Sequence, residues 1–353
     1  MRIVFIGPAI SVHIQKWVDA FKIENEVHLI TMHPVYDKDW YFENTHVLHI
    51  RNNLGYYANA FHVHNIIKKI KPDVVNVHYA SGYGTLARCA RIGRYILNVW
   101  GSDVFDFPYE SKMKMRIIKK NLLASRQIAS TSEVMKRQVE KLIIPQMDVV
   151  VTPFGVDVNE FSPIERQASD IITIGTVKTL SPKYGIDVLI KAYNEAYVQG
   201  LKASRLLIVG GGPQEAELKA LASSLPAAQN IEFIGFVQHK DVPKYLTQFD
   251  IYVALSERDS ESFGVAVVEA ESCGIPVIVS NVGGLTEVVK DGETGFVVPH
   301  GDYIVAAEKI ILLSDNYVRR KKMGDMAREF VCKEYEWNVC VDIMKKLFID
   351  FCK

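Results

Sequence analysis

The chain has 353 residues, 48% of them hydrophobic and 23% charged, with 41 basic side chains balancing 41 acidic ones. That length exceeds one ordinary core and suits two domains. A net charge of zero argues against a nucleic-acid binder that uses its whole surface, while local basic patches stay open.

The opening MRIVFIGPAI carries a short apolar run that stops at Gly7-Pro8, so it reads as a strand, Arg2–Ile6, rather than a signal peptide. Similar Val- and Ile-rich runs recur at Val27–Ile30, Val47–Ile50, Val74–His78, Ile96–Trp100, Gln127–Ser130 and Val149–Thr152. Continuous apolar runs are the mark of strands buried on both faces. Segments between them, such as Ser11–Phe21 and Gly55–Ile70, have the length and period of helices. After the turn-rich, charged stretch PFGVDVNEFSPIERQASD (153–170) the pattern restarts. Strands are then expected at Ile171–Val177, Arg205–Val209, Ile231–Ile234, Ile251–Leu255, Val277–Ser280 and Phe296–Val298. The alternation predicts an α/β protein of two Rossmann-like, doubly wound domains, 1–165 and 166–335, facing across a cleft. Residues 336–353 read as a closing helix that crosses back to the first domain. No run reaches the ~18 apolar residues of a membrane span. The five cysteines are scattered without a CxxC pair, the usage of reduced thiols in a cytoplasmic protein.

In doubly wound sheets, ligands sit beyond the carboxyl ends of the strands. There, strand Ile251–Leu255 runs into ERDSES (257–262), then Phe263-Gly264 and an apolar run ending at Gly274. Ser262 is the expected N-cap, which leaves Glu261 in the loop and puts Glu269 one or two turns into the helix. Eight residues on a helix would separate two carboxylates by about 80°, unsuited to a paired acid and base. The helix start between them offers backbone N–H groups and partial positive charge to an anion. Gly264 would let a ligand approach the backbone.

The stretch ESFGVAVVEAESCGIPVIVSNVGGLTEVVKDGETGFVV (261–298) resembles the donor-site signature of the retaining GT-B glycosyltransferases of family 4. Segments 174–193, 206–221 and 231–256 extend the resemblance over nearly all of the second domain. MRIVFIGP, KPDVVNVHYASGYG and NVWGSD carry it more loosely in the first. The resemblance implies that Glu261 holds hydroxyls of the donor sugar and Glu269 those of the nucleotide's ribose. Backbone around Ser262, Phe263, Gly264 and Val265 would reach sugar and phosphate. A departing nucleoside diphosphate gathers negative charge, and fixed cations aimed at it favour the transition state. The family commonly supplies an Arg and, about six residues later, a Lys. Here Lys178 replaces the Arg, giving up its bidentate fork. Lys183 stands one position early, with Tyr184 where lysine is usual. In GGGP (210–213), Gly211 and Gly212 are expected to face the nucleotide. The first domain would hold the acceptor, with His13, His78 and Asp103 as candidates, Asp103 as a polar contact or weak base. Trp100 stands where many members carry a histidine near the donor sugar. No nucleophile is assigned, and glycosidase logic does not transfer to the two glutamates.

The implied activity is transfer of a sugar, with retention, from a nucleotide-sugar donor (a UDP-sugar is expected) to a saccharide or lipid-linked glycan in polysaccharide or glycolipid synthesis. No metal and no other cofactor are expected, and no nucleic-acid partner. The alternatives are a nucleotide-sugar epimerase of the same fold, or a non-catalytic glycosyltransferase-like subunit, at which Trp100 and the shifted lysine hint. DKD (37–39) reads as a solvated loop rather than a metal motif. In SKMKMRIIKKNLLASR (111–126), Lys112, Arg116 and Lys119 share one helical stripe and Met115, Ile118 and Leu122 another. Such a helix suits an anionic membrane surface, hence peripheral attachment at the inner face, and equally an ordinary surface helix with its apolar stripe in the core.

Overall fold

The computed structural model describes residues 1–35, 40–164 and 171–353. The DKD triplet and residues 165–170 lie outside them. The chain divides into two compact units, one of Met1–Phe154 with Cys340–Lys353, the other of Gly155–Val339.

In the first unit the apolar runs become seven parallel strands: β1 (Arg2–Ile6), β2 (Glu26–Thr31), β3 (Thr45–Val47), β4 (Val74–His78), β5 (Ile96–Val99), β6 (Gln127–Ser130) and β7 (Val150–Val151). Their order is β3-β2-β1-β4-β5-β6-β7. All residues of β4, β5 and β6 are buried, as expected of strands covered on both faces. Two of the polar members pair with each other, Asn98 donating to the side chain of Asn76 and to Val77 O. The strand expected at Val47–Ile50 forms earlier. Its register pairs Leu29–Thr31 of β2 with Thr45–Val47, and β2 ends there. Leu48 is buried and its N–H reaches Thr31 O, while His49 and Ile50 turn outward. The helix Trp337–Cys352 completes this unit. Its Phe348 ring packs 4.8 Å from Phe21 and 6.2 Å from Phe5, and Arg94 donates to Phe351 O at 2.6 Å.

The second unit holds six parallel strands: β8 (Ile172–Val177), β9 (Ser204–Val209), β10 (Ile231–Gly235), β11 (Ile251–Ala254), β12 (Val277–Ser280) and β13 (Gly295–Val298). They run in the order β10-β9-β8-β11-β12-β13. Ile174, Ile208, Val253 and Ile278 are among the sheet residues in the core, each buried completely and each worth about 1.5–3 kcal/mol of apolar transfer. Arg328 ties the segment that enters this unit to its core, donating to Val158 O and Phe161 O at 3.2 Å each and to Ser272 O.

Strand order reverses between β1 and β4 in one unit and between β8 and β11 in the other. At such a switch point the loops leaving the two strands diverge and open a crevice at their carboxyl ends. Among the described residues no helix is long and apolar enough to cross a membrane.

Candidate active site

The switch point of the second unit gathers charge. Lys178 follows β8 and Glu261 lies in the loop after β11, and Lys178 Nζ donates to Glu261 Oε2 at 3.1 Å. Both side chains are only 9% exposed. Burial alone would lower the lysine's affinity for its proton. The Glu261 carboxylate, with Tyr252 and Glu269 also facing it, reverses that and raises the ammonium above its usual value. Ser256 Oγ, at 3.5 Å, is the second neighbour of Glu261 Oε2. Lys183 Nζ donates to Ser260 O at 2.6 Å, and Lys183 O accepts from Glu257 N, so this lysine laces the loop after β8 to the loop carrying Glu261. Tyr184 serves both cations, its ring centroid 4.9 Å from Lys178 Nζ and 5.2 Å from Lys183 Nζ, within cation–π range.

The helix expected to start at Ser262 begins instead at Val265, with Gly264 as its N-cap. Gly264 adopts φ +93°, and a Cβ there would meet Leu285 Cδ2 at 2.7 Å, so the turn into the helix favours glycine. Ser262 and Phe263 are thereby drawn inward, and the Phe263 ring packs edge-on to Tyr335 at 5.4 Å. Gly284 N donates to Glu261 O at 2.8 Å, fixing the loop from below. Glu269 lies one turn inside the helix, 4% exposed. Its Oε1 accepts a hydrogen bond from His239 Nε2 at 2.7 Å, a partner the sequence pattern does not announce. Two residues on, Glu271 has no exposed surface, and burial raises its carboxyl well above the usual range. The glycine at 212 answers to the neighbouring backbone, since a Cβ there would stand 2.3 Å from Leu180 O. Gly211 meets the same loop through its carbonyl, which accepts from Leu180 N at 3.0 Å. Both glycines therefore serve the fit between the loops after β8 and β9.

The switch point of the first unit gathers rings. His13, at the start of the helix Val12–Phe21, stacks on Phe154 at 3.9 Å between centroids. Trp100, just past β5, presents edges to His13, His78, Tyr79 and Phe154 at 5.6–6.1 Å. His78 ends β4 at 1% exposure, with neither ring nitrogen hydrogen-bonded. Burial, with His13 nearby, lowers its pKa to about 3, so the imidazole stays neutral. Tyr79 beside it has φ +80°, an uncommon strain for a non-glycine residue, and such strain clusters at functional sites. Asp103 does not face this cluster as a base. It has no exposed surface, and its carboxylate accepts from the backbone N–H of Ala80, Trp100 and Gly101 at 2.7–3.0 Å. Burial raises its carboxyl despite those three bonds. It clamps the loop after β4 to the loop after β5.

On the helix Lys112–Ala124, Ile118 and Leu122 are buried and Met115 is partly buried, so the apolar stripe belongs to the core. The opposite face exposes Lys112, Arg116, Lys119 and Lys120 together with Met113 and Leu123, which are 67% and 49% exposed. Among the described residues no group of three or more His, Cys, Asp or Glu side chains is placed to hold a metal ion.

Residues 157–330 match the family model described as glycosyl transferases group 1, and residues 2–132 match glycosyl transferase 4-like. A GDP-mannose-dependent monoacylated alpha-(1-6)-phosphatidylinositol monomannoside mannosyltransferase of Corynebacterium glutamicum is 33% identical over 203 residues, 53% of this chain and 52% of that protein. The chain thus spans about half the length of that relative. An N-acetyl-alpha-D-glucosaminyl L-malate synthase of Bacillus anthracis is 25% identical over 300 residues, covering 79% of this chain and 74% of that one. Sucrose-phosphate synthase from Thermosynechococcus elongatus superposes with a TM-score of 0.85 at 19% identity, over 99% of this chain and 98% of that one, a likeness of fold.

Proposed function

This chain belongs to the glycosyl transferases group 1 family, with the GT-B fold, and from that premise we propose that it transfers a hexose from a nucleotide-sugar to a saccharide or lipid-linked acceptor. The observation that carries the reading is the buried Lys178–Glu261 pair at the switch point of the second unit. A donor entering there exchanges the pair's mutual contact for its own. Glu261 accepts hydroxyls of the sugar, and Lys178, with Lys183 beside it, meets the diphosphate. As the bond from the anomeric carbon to the phosphate oxygen breaks, an acceptor hydroxyl forms the new bond to that carbon. Its proton passes to the departing phosphate. Charge grows on the diphosphate through this step, so a fixed ammonium stabilises the transition state more than the ground state. Attack from the same face gives retention, and no protein nucleophile is required.

The donor read from the sequence is a UDP-sugar, whereas the name of the Corynebacterium relative specifies GDP-mannose. Thermal stabilisation by a panel of UDP- and GDP-sugars, followed by turnover with the stabilising donor, decides between them, since a ligand that binds only the folded state raises the melting temperature. Magnetic-resonance analysis of the product gives the anomeric outcome. Stabilisation by no nucleotide-sugar, or release of an epimerised sugar with donor alone, overturns the proposal.

The first unit supplies the acceptor side, through the rings around Trp100. Its helix Lys112–Ala124 fits an anionic lipid surface, with four exposed cations around Met113 and Leu123. That agrees with relatives named for phosphatidylinositol-linked acceptors. The protein should pellet with phosphatidylglycerol vesicles at low salt. Glutamine at positions 112, 116, 119 and 120 should release it, and pelleting unchanged by that substitution removes the membrane contact.

A further inference from the structure

The loop after β10 brings His239 against Glu269 from outside the helix that carries the glutamate. The imidazole Nε2 stands 2.7 Å from Glu269 Oε1. The carboxylate's side chain is 5% exposed and the imidazole 35%. One oxygen of a buried carboxylate is therefore tethered to a ring that reaches the surface, and the Phe161 ring, 5.7 Å away, packs against that imidazole. His239 opens a short turn, His239–Asp241, a few residues beyond Gly235, where β10 ends with φ +84°. The histidine thus has a backbone anchor independent of the helix Val265–Ser272.

We propose that His239 is a positioning residue that makes the donor site selective for a ribonucleotide. The proposal rests on the reading of Glu269 as the carboxylate that receives the ribose hydroxyls. A vicinal diol donates two hydrogen bonds to one carboxylate only when the carboxylate plane is correctly turned. A glutamate side chain has several rotatable bonds with which to lose that orientation. A hydrogen bond to Oε1 removes the freedom before the nucleotide arrives and leaves Oε2, with the second lone pair of Oε1, for the 2′- and 3′-hydroxyls. Pre-organisation of this kind raises affinity without a new contact to the ligand. Its effect should fall on the ribose and on no other part of the nucleotide. A neutral imidazole protonated at Nε2 is sufficient, so a side-chain amide at the same position should stand in for it.

Calorimetric titration with UDP, GDP and their 2′-deoxy counterparts tests this without reference to turnover. The wild-type protein should bind the ribonucleoside diphosphate it accepts at least ten times more tightly than the deoxy form, a difference of about 1.4 kcal/mol. His239→Phe keeps a ring against Phe161 but offers no donor. It should bring the preference below about twofold while leaving affinity for the deoxy form unchanged, and His239→Gln should restore most of the preference. Glu269→Ala separates the two layers of the argument. If that variant still prefers the ribonucleotide, the ribose reading of Glu269 fails. If it loses the preference while His239→Phe retains it, the positioning role alone is overturned. Binding of neither diphosphate, or no ribose preference in the wild type, overturns both.

Discussion

In the first unit the reversal between β1 and β4 collects rings, with a neutral His78, a stacked His13–Phe154 pair and a central indole. In the second unit the reversal between β8 and β11 collects charge, with Lys178 against Glu261 and Lys183 laced to the same loop. Both sheets are parallel and doubly wound, so the framework does not account for the difference. It arises in the loops at the carboxyl ends, where a few residues after each strand decide what can be bound. A cluster of rings, some buried and some half-buried, suits the apolar faces of a saccharide. A preformed buried cation suits a diphosphate, because it costs no reorganisation when charge develops.

This contrast breaks if the two clusters respond alike to substitution. Lys178→Ala should lower turnover about 1,000-fold, roughly 4 kcal/mol of lost transition-state stabilisation. It should also lower the melting temperature, because it leaves Glu261 buried without its cation. Trp100→Ala should raise the acceptor KM about tenfold and leave nucleotide-sugar affinity untouched, as measured by titration. Equal loss of donor affinity in both variants would mean that the rings also serve the donor. The smallest expected effect concerns His78 and pH. Its folded-state pKa of about 3 lies below the ordinary value of 6.5, so the unfolded chain binds the extra proton first. The stability contributed by His78 is therefore complete above pH 6.5 and lost as pH falls toward 3. The slope cannot exceed about 1.4 kcal/mol per pH unit. Between pH 6.5 and 5.5 the melting-temperature gap between His78→Leu and wild type should shift in the variant's favour by an amount worth about 1 kcal/mol. A constant gap would show that His78 is not buried neutral.

The strands were legible because a strand covered on both faces is mostly apolar, a pattern that turns and polar helix faces interrupt. The exception was the edge, where β3 forms at Thr45–Val47 because β2 ends at Thr31. No local signal in Val47–Ile50 carries the length of its partner. Glu261, Glu269, Lys178 and Lys183 are candidates that spacing and resemblance single out, since each lies at a fixed offset from a strand end. Asp103 could be located but not interpreted, because the three amides that occupy its carboxylate come from two loops that only the fold brings together. The same holds for Ser262, a good cap by residue type that loses the place to the left-handed Gly264. The contacts of His239 and Tyr184 could not be read from the sequence for a related reason. One makes its contact thirty residues away, and the ring of the other lies against two lysines that only the fold brings together.

The helix that closes the first unit has a consequence for the order in which the protein can be made. Residues 340–353 belong to that unit, yet all of 155–339 is translated before them. At ~5–20 residues per second this interval is on the order of ten seconds or longer. Throughout it Phe348, the partner of the Phe5 and Phe21 rings, has yet to be made. The first unit, though begun earlier, therefore cannot close before the second has been synthesised.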